Sequence, residues 1–516
     1  MTRVSRALAA LAAAVAVYAV LGAQGGGAQP AAQIIASAAE ALGGSTRVMA
    51  VRTLVIEGEG TQWANAGGVS PLAEPDRTKI TGYKRLLDIA NRRMRVTQTG
   101  TLQYPFALGL GNQADRRLDG DIAFGPGGGR GAAPGTLVRA NQAGWAQRRI
   151  EYLSHPLTAI RAALDPAAMI ADHSPASQAG ERLVDVTTPQ GETFTLAFPG
   201  NGLNTPPRSI RWREADPNWG DVVTETVFLE YADVNGLKLP ARFKTYTDRT
   251  KLTGDFSVKT TVDGDVGDLA APAAVKNAPA PQPAPAQPIM VTADPVAKGI
   301  WYMGGTGEHS VLFEFADHLV LFETPGPEAR TLAVIQKARE TVPGKPLTIA
   351  INSHHHFDHA GGFRAAVSEG LTMYAYQDNV EHFKEIARRP HTMSPDILQM
   401  KPKALKIMPV GDTMEMKDSQ MDIILYHVRP SAITHAATEL MVWVPRDRLL
   451  LEADQVDLGW TRHLWGENFI WNVEQLRGLN VASILPVHGN GPEPWPEVVK
   501  TIRSKATYYP TDVPGF

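Results

Sequence analysis

Residues 347–362 read Leu-Thr-Ile-Ala-Ile-Asn-Ser-His-His-His-Phe-Asp-His-Ala-Gly-Gly. The run 347–351 is apolar enough to be a buried strand, and it leads straight into a cluster of imidazoles and a carboxylate before a glycine pair opens the next element. His354 and His356 stand two residues apart at a strand end, so their side chains point the same way and can share one cation. Asp358 and His359 lie further round the same turn, placed to reach a second cation a few ångströms on. Strand ends are where ligands bind in α/β sheets. Four ligand-type residues so close together would be costly to bury with no metal to satisfy them. His355, between the ligands, is expected to point the other way, into packing or against an outer partner of the site.

On both sides of this turn the sequence alternates strands and helices. Apolar runs at 299–303, 310–315, 319–324, 421–426, 439–445, 449–452 and 484–487 predict strands. Residues 331–341 predict an amphipathic helix with Leu332, Val334, Ile335 and Ala338 inward. Such alternation implies a layered α/β architecture.

Upstream, residues 271–288 (APAAVKNAPAPQPAPAQP) predict an extended, partly stiff spacer, because proline fixes φ and alanine adds little to bury. It divides the chain into 30–270 and 290–516. The first region reads as mainly antiparallel β, with strands at 52–61, 92–97, 182–187, 193–198, 209–213, 222–231 and 257–262. Asn235-Gly236 between apolar alternations is a hairpin signal. Leu239-Pro240 suggests a strand near a sheet edge, and helices are expected at 34–42 and 156–164. The glycine-rich stretch 125–135 lacks the Lys-Ser/Thr ending of a phosphate loop and reads as a plain loop. A leading helix followed by successive antiparallel strands resembles the half-barrel lipoprotein-carrier folds of the bacterial envelope. No catalytic constellation stands in this region.

Composition narrows the chemistry further. The chain has 516 residues, 50 Lys+Arg against 53 Asp+Glu and no basic run, which argues against a nucleic-acid partner. It has no cysteine, so disulfides, thiolate zinc sites, iron–sulfur clusters and cysteine nucleophiles are excluded, and any metal must be held by His and carboxylates. Of 14 histidines only His155 and His173 precede residue 300. Arg3 and Arg6, an apolar run 7–23 and small residues up to position 28 predict a secretory signal peptide over 1–28. A periplasmic or secreted protein with no stable membrane span after cleavage is therefore expected.

The pattern His354-x-His356-x-Asp358-His359, with His435, Asp454 and His488 each beside a predicted strand, resembles the metallo-β-lactamase superfamily of metal-dependent hydrolases over roughly 295–500. The resemblance implies a four-layer αβ/βα fold in the C-terminal half. It implies one metal site from His354, His356 and His435, a second from Asp358, His359 and His488, and Asp454 bridging both. Asp358 would also orient the nucleophile and accept its proton, which makes it the candidate catalytic residue. Two small departures stand out: Thr434 and Ala436 flank His435 where the family often has glycine and threonine, and Ala453 replaces a frequent glycine before Asp454.

Five imidazoles and two carboxylates suit Zn²⁺, two per chain, with Mn²⁺ or Fe²⁺ also compatible with the ligand types. A bridged pair would lower a bound water's pKa to about 7 and supply hydroxide at neutral pH. Trp460 and His463, in the aromatic-rich stretch 455–471, are candidate substrate contacts, and 381–399 is expected to form a helix and loop over the site. Only 28 residues follow His488 (516 − 488), too few for the helical domain of glyoxalase II-like thioesterases or the added domains of alkylsulfatase-like members. The expectation is an exported dinuclear hydrolase of a small ester, lactone or amide, whose metal centre does not need residues 30–270. The alternatives are a β-lactamase with an all-His/Asp site, and an envelope ligand carrier whose metal site is secondary. Oligomeric state cannot be read from the sequence.

Overall fold

The computed structural model describes residues 30–64, 68–103, 111–127, 135–173, 180–281, 288–431, 434–456, 458–459 and 465–505. The leader expected over 1–28, most of the glycine-rich loop and the middle of the proline–alanine segment lie outside them.

The first region is one 13-stranded antiparallel sheet. The chain lays strands outward from Thr53–Trp63 to one edge at Leu137–Arg139, crosses by helices, and returns from the other edge, Met169–Asp172, to end beside its own start. That closure pairs Leu54 with Val262 and Gln62 with Gly254. Helices Ala31–Ala41 and Pro156–Ala163 cover one face, burying Ile34, Ile35, Leu157 and Ile160 against Leu54, Val96 and Phe198. The Asn235-Gly236 hairpin is present: Val234 faces Leu237, and both turn residues have positive φ, 53° and 78°, the geometry for which Asn-Gly is suited.

Pro240 does not mark a sheet edge. Its strand, Leu237–Thr247, is paired on both sides. The ladder to Lys251–Val262 begins only at Arg242, so Pro240 sits beyond it and its missing N–H is not required there. The spacer also differs from its predicted extended form at its start: Ala273–Asn277 is a helical turn whose Val275 is buried beside Phe124.

The second region has four layers. A 7-stranded and a 6-stranded sheet face one another across Phe313, Phe322, Ile351, Leu425, Val442 and Leu485. Helices Glu328–Thr341, Phe363–Ser368 and Val380–Arg388 cover the first sheet, and Gly466–Ile470 with Trp495–Lys505 covers the second. Strand Leu347–Ile351 lies between two parallel neighbours, and Leu449–Glu452 runs parallel to Ser483–Pro486. Their C-terminal ends open at the same place.

The two regions are docked together. Trp219 and Val222 of the first belong to the helix-side core of the second. Arg389 pairs with Asp248 at 2.7 Å and donates to the carbonyl oxygens of Trp219 and Asp221. The Asp221 carboxylate accepts from Thr392 and from the N–H of Met393.

Candidate metal centre

Strand Leu347–Ile351 ends in a turn that places His354, His356, Asp358 and His359 around one point, and Asn352 holds the turn by donating to the carbonyl oxygen of His359 at 2.9 Å. Glu452 and Pro486 end the two parallel strands of the facing sheet, so Asp454 and His488 arrive from the opposite layer. His435 comes from the connection between Asp422–His427 and Leu440–Val444.

All seven residues converge. His356 Nδ1 lies 3.0 Å from both His354 Nε2 and His435 Nε2, and His359 Nε2 lies 3.1 Å from His488 Nε2. Asp454 stands between the two groups. Its Oδ2 is 2.6 Å from His435, 3.1 Å from His359 and 3.5 Å from His354, while Oδ1 is 2.6 Å from His488. Asp358 Oδ2 reaches His359 at 3.5 Å and His488 at 3.6 Å. The side chains therefore form two donor sets sharing Asp454: His354, His356 and His435, and Asp358, His359 and His488.

This donor set fits a pair of divalent cations. His356 Nδ1 faces two other ring nitrogens at 3.0 Å, and with either one proton or one lone pair it can satisfy only one of those contacts fully. The spacing is within a few tenths of the roughly 3.3 Å between two nitrogens that each lie about 2.05 Å from a tetrahedral ion. Charge points the same way. Burial holds His354 far below its usual range and His356 near 4, as neutral ligands must be. Burial opposes ionisation of Asp454, but His359 and His435 keep its carboxyl well below the ordinary range. His488 is driven to about 10: burial lowers it, and Asp454 and Glu308 overcome that. His359 is likewise held well above its usual range: burial lowers it, but Asp454 and Glu323 outweigh that, so the carboxylates of the centre draw in positive charge.

The outer partners were not legible in the sequence. Glu323 lies 3.5 Å from His359 Nδ1 and accepts the Ser353 N–H at 2.9 Å. Glu308 lies 2.8 Å from His488 Nδ1, and Ser353 Oγ 2.9 Å from His354 Nδ1. Glu308 and Ser353 each bond a ring nitrogen and so decide which nitrogen faces inward, while Glu323 is a charged neighbour of His359 rather than a hydrogen-bond partner. Glu323 had one faint signal, an acid closing the apolar run Leu319–Phe322 much as Asp454 follows Leu449–Glu452. Glu308, in an open loop, had none.

His355 points away from the donors, its ring 5.7 Å from His382, into a cleft of about 1130 Å³ between the two regions. Trp63, Leu72, Trp219, Lys251 and Tyr376 also line this cleft. The helix expected near 381 is Val380–Arg388, and it forms part of that wall. Trp460 and His463 lie outside the described residues. Within the same stretch Trp465 is placed at the centre: its Nε1 donates to the Asp454 carbonyl oxygen at 2.7 Å, and its ring lies 5.3 Å from that of His435.

Comparison with known proteins gives a matching family: the metallo-beta-lactamase superfamily, over residues 303–454. No curated protein matches the chain. Among solved structures, a metallo-beta-lactamase from Pontibacter korlensis is similar at 14% identity and TM-score 0.33, over 43% of this chain and 100% of that one. The FIM-1 metallo-beta-lactamase from Pseudomonas aeruginosa, solved in a mono-zinc form, is similar at 18% identity and TM-score 0.31, over 41% of this chain and 93% of that one. A double mutant of the sec-alkyl sulfatase PisA1 is similar at 15% identity and TM-score 0.33, over 42% of this chain and 41% of that one.

Proposed function

We propose, from the premise that the second half of the chain is a metallo-beta-lactamase superfamily hydrolase domain, that it holds two zinc ions and cleaves a small ester, lactone or amide. The observation that carries this is the position of Asp454, within 3.5 Å of four imidazoles drawn from both donor sets. Bound there, the ions would polarise the substrate's oxygen and lower the pKa of a water molecule to about 7.

The chain's own residues have separate tasks. His354, His356 and His435 would hold one ion, and His359 and His488 the other. Asp358 is the most exposed of the seven, so its carboxylate can face both a ligand position and the entering substrate, orient the attacking water and accept its proton. Trp465 anchors the Asp454 backbone and closes one side of the centre to solvent. Trp460 and His463 remain the proposed substrate contacts, and export to the periplasm or medium the proposed location. Donor chemistry favours zinc, with Mn²⁺ or Fe²⁺ as its competitors.

Metal analysis of the full chain is expected to give two equivalents. A screen of chromogenic esters, lactones, anilides and a cephalosporin is expected to give turnover that Asp454→Ala lowers by on the order of 10³-fold or more. Cleavage confined to the cephalosporin would favour the β-lactamase reading. A chain without metal, or turnover indifferent to Asp454→Ala, would refute the proposal.

A further inference from the structure

His356 differs from His354, His359 and His488 in where its outer partner comes from. Its Nδ1 is the nitrogen that faces His354 and His435. A neutral imidazole carries one proton, so Nδ1 can offer a lone pair only while Nε2 holds the hydrogen, and that N–H needs an acceptor. The acceptor is the backbone carbonyl oxygen of Gly68, 3.2 Å away and 288 residues earlier in the chain. The corresponding partners of His354, His359 and His488 are Ser353, Glu323 and Glu308, all from the second region.

The segment 68–76, which joins strand Thr53–Trp63 to strand Arg77–Asp88, is fastened where it makes this contact. The next carbonyl oxygen, that of Val69, accepts the N–H of Ala437 at 2.6 Å, two residues from His435. Ser70 Oγ accepts the Ala73 N–H at 3.1 Å, and Trp63 Nε1 donates to Glu74 at 3.1 Å. Gly68 is buried, and a Cβ on it would lie 2.5 Å from the carbonyl oxygen of Glu74, so the tight course of the segment needs glycine at this position.

We infer that segment 68–76 of the first region is a positioning element of the metal centre: the Gly68 carbonyl fixes His356 in its Nε2–H form and thereby sets the affinity of the His354/His356/His435 position alone. The inference rests on the metal-binding reading above. It also replaces the expectation that the second region holds its metals independently of the first.

The test is titration of the metal-free full chain with zinc against a competing chelator dye, which reads the two affinities separately. Wild-type chain is expected to bind two equivalents; if it binds none, the metal reading itself fails and this inference with it. Gly68→Val should push the segment off His356 and weaken one equivalent by about 10- to 100-fold, leaving the other within about twofold. A second measurement needs no variant: a long-range ¹H–¹⁵N spectrum of the zinc-loaded wild-type chain should show His356 protonated at Nε2, and a ring protonated at Nδ1 would overturn the inference, so it stays testable if Gly68→Val does not fold. Two unchanged affinities in a folded variant that differs only here would overturn the inference while leaving the metal reading intact. Parallel weakening of both equivalents would overturn it too, because the segment would then be supporting the whole centre.

Discussion

The two regions handle buried charge in opposite ways. In the first, Glu181 and Glu225 are answered from within: Arg211 donates to Glu181 at 2.6 Å and to Glu225 at 2.9 Å, and Arg249 lies within 3.6 Å of both. In the second, the buried Asp454 and Glu323, with the more exposed Asp358 and Glu308 beside them, are faced by imidazoles, which are weak bases when buried. One region closes its own electrostatic account with fixed guanidinium groups. The other leaves room for a divalent cation to complete it.

Histidines make the same point. His155 and His354 are both fully buried and both held neutral by burial. His155 caps a helix by accepting the Leu157 N–H at 3.3 Å, whereas His354 turns its Nε2 toward another imidazole and a carboxylate. Burial does not distinguish a structural histidine from a ligand; what faces the ring does.

The largest effect that separates the regions should come from Arg211→Ala. It leaves two buried carboxylates to the longer contacts of Arg249 alone and should cost up to about 3–5 kcal/mol in denaturant unfolding, while zinc stoichiometry stays at two. Loss of zinc in that variant would mean the regions are not electrostatically separate. Glu308→Gln should do the reverse. Unfolding of the first region should be unchanged, while the affinity of one zinc falls about 10- to 100-fold, because His488 loses the carboxylate that orients it; an unchanged titration would remove Glu308 from the site.

The smallest effect should come from Asp412, in the second region but paired in the manner of the first. Arg477 binds it through two nitrogens at 2.7 and 2.8 Å, and Arg429 adds a third contact at 3.2 Å. These partners lower its carboxyl below the ordinary 3.8. A lowered acid stabilises the fold above its unfolded value, and that contribution is lost as the pH falls through the folded value. Asp412→Asn should therefore cost less than about 1 kcal/mol at pH 7, since the carboxylate is half exposed, and the difference from wild type should shrink as the pH drops below about 4. Thermal melts at pH 7 and pH 3 check this, and an equal difference at both would show that the effect is not ionic.

The seven side chains that converge were readable as a set before any fold was known. Metal donors must be lone-pair side chains placed by short-range geometry at strand ends, and short-range geometry is written in adjacent residues. The same holds for the Asn235-Gly236 turn, whose positive φ values demand those residue types. Strands Arg77–Asp88 and Gly111–Asp119 were missed because charged and small residues interrupt their alternation, and pairing with neighbours completes them. Pro240 was misplaced because an edge and an interior strand that starts its second ladder late look alike in one dimension.

Tertiary structure alone decided which groups stand behind the ligands and what reaches the centre from elsewhere. Nothing in the residue string joins position 53 to position 263 or position 68 to position 356, yet the first contact closes the large sheet and the second brings it to the metal centre. A backbone carbonyl is present at every position and so carries no sequence signal. Its effect depends on where long-range packing puts it.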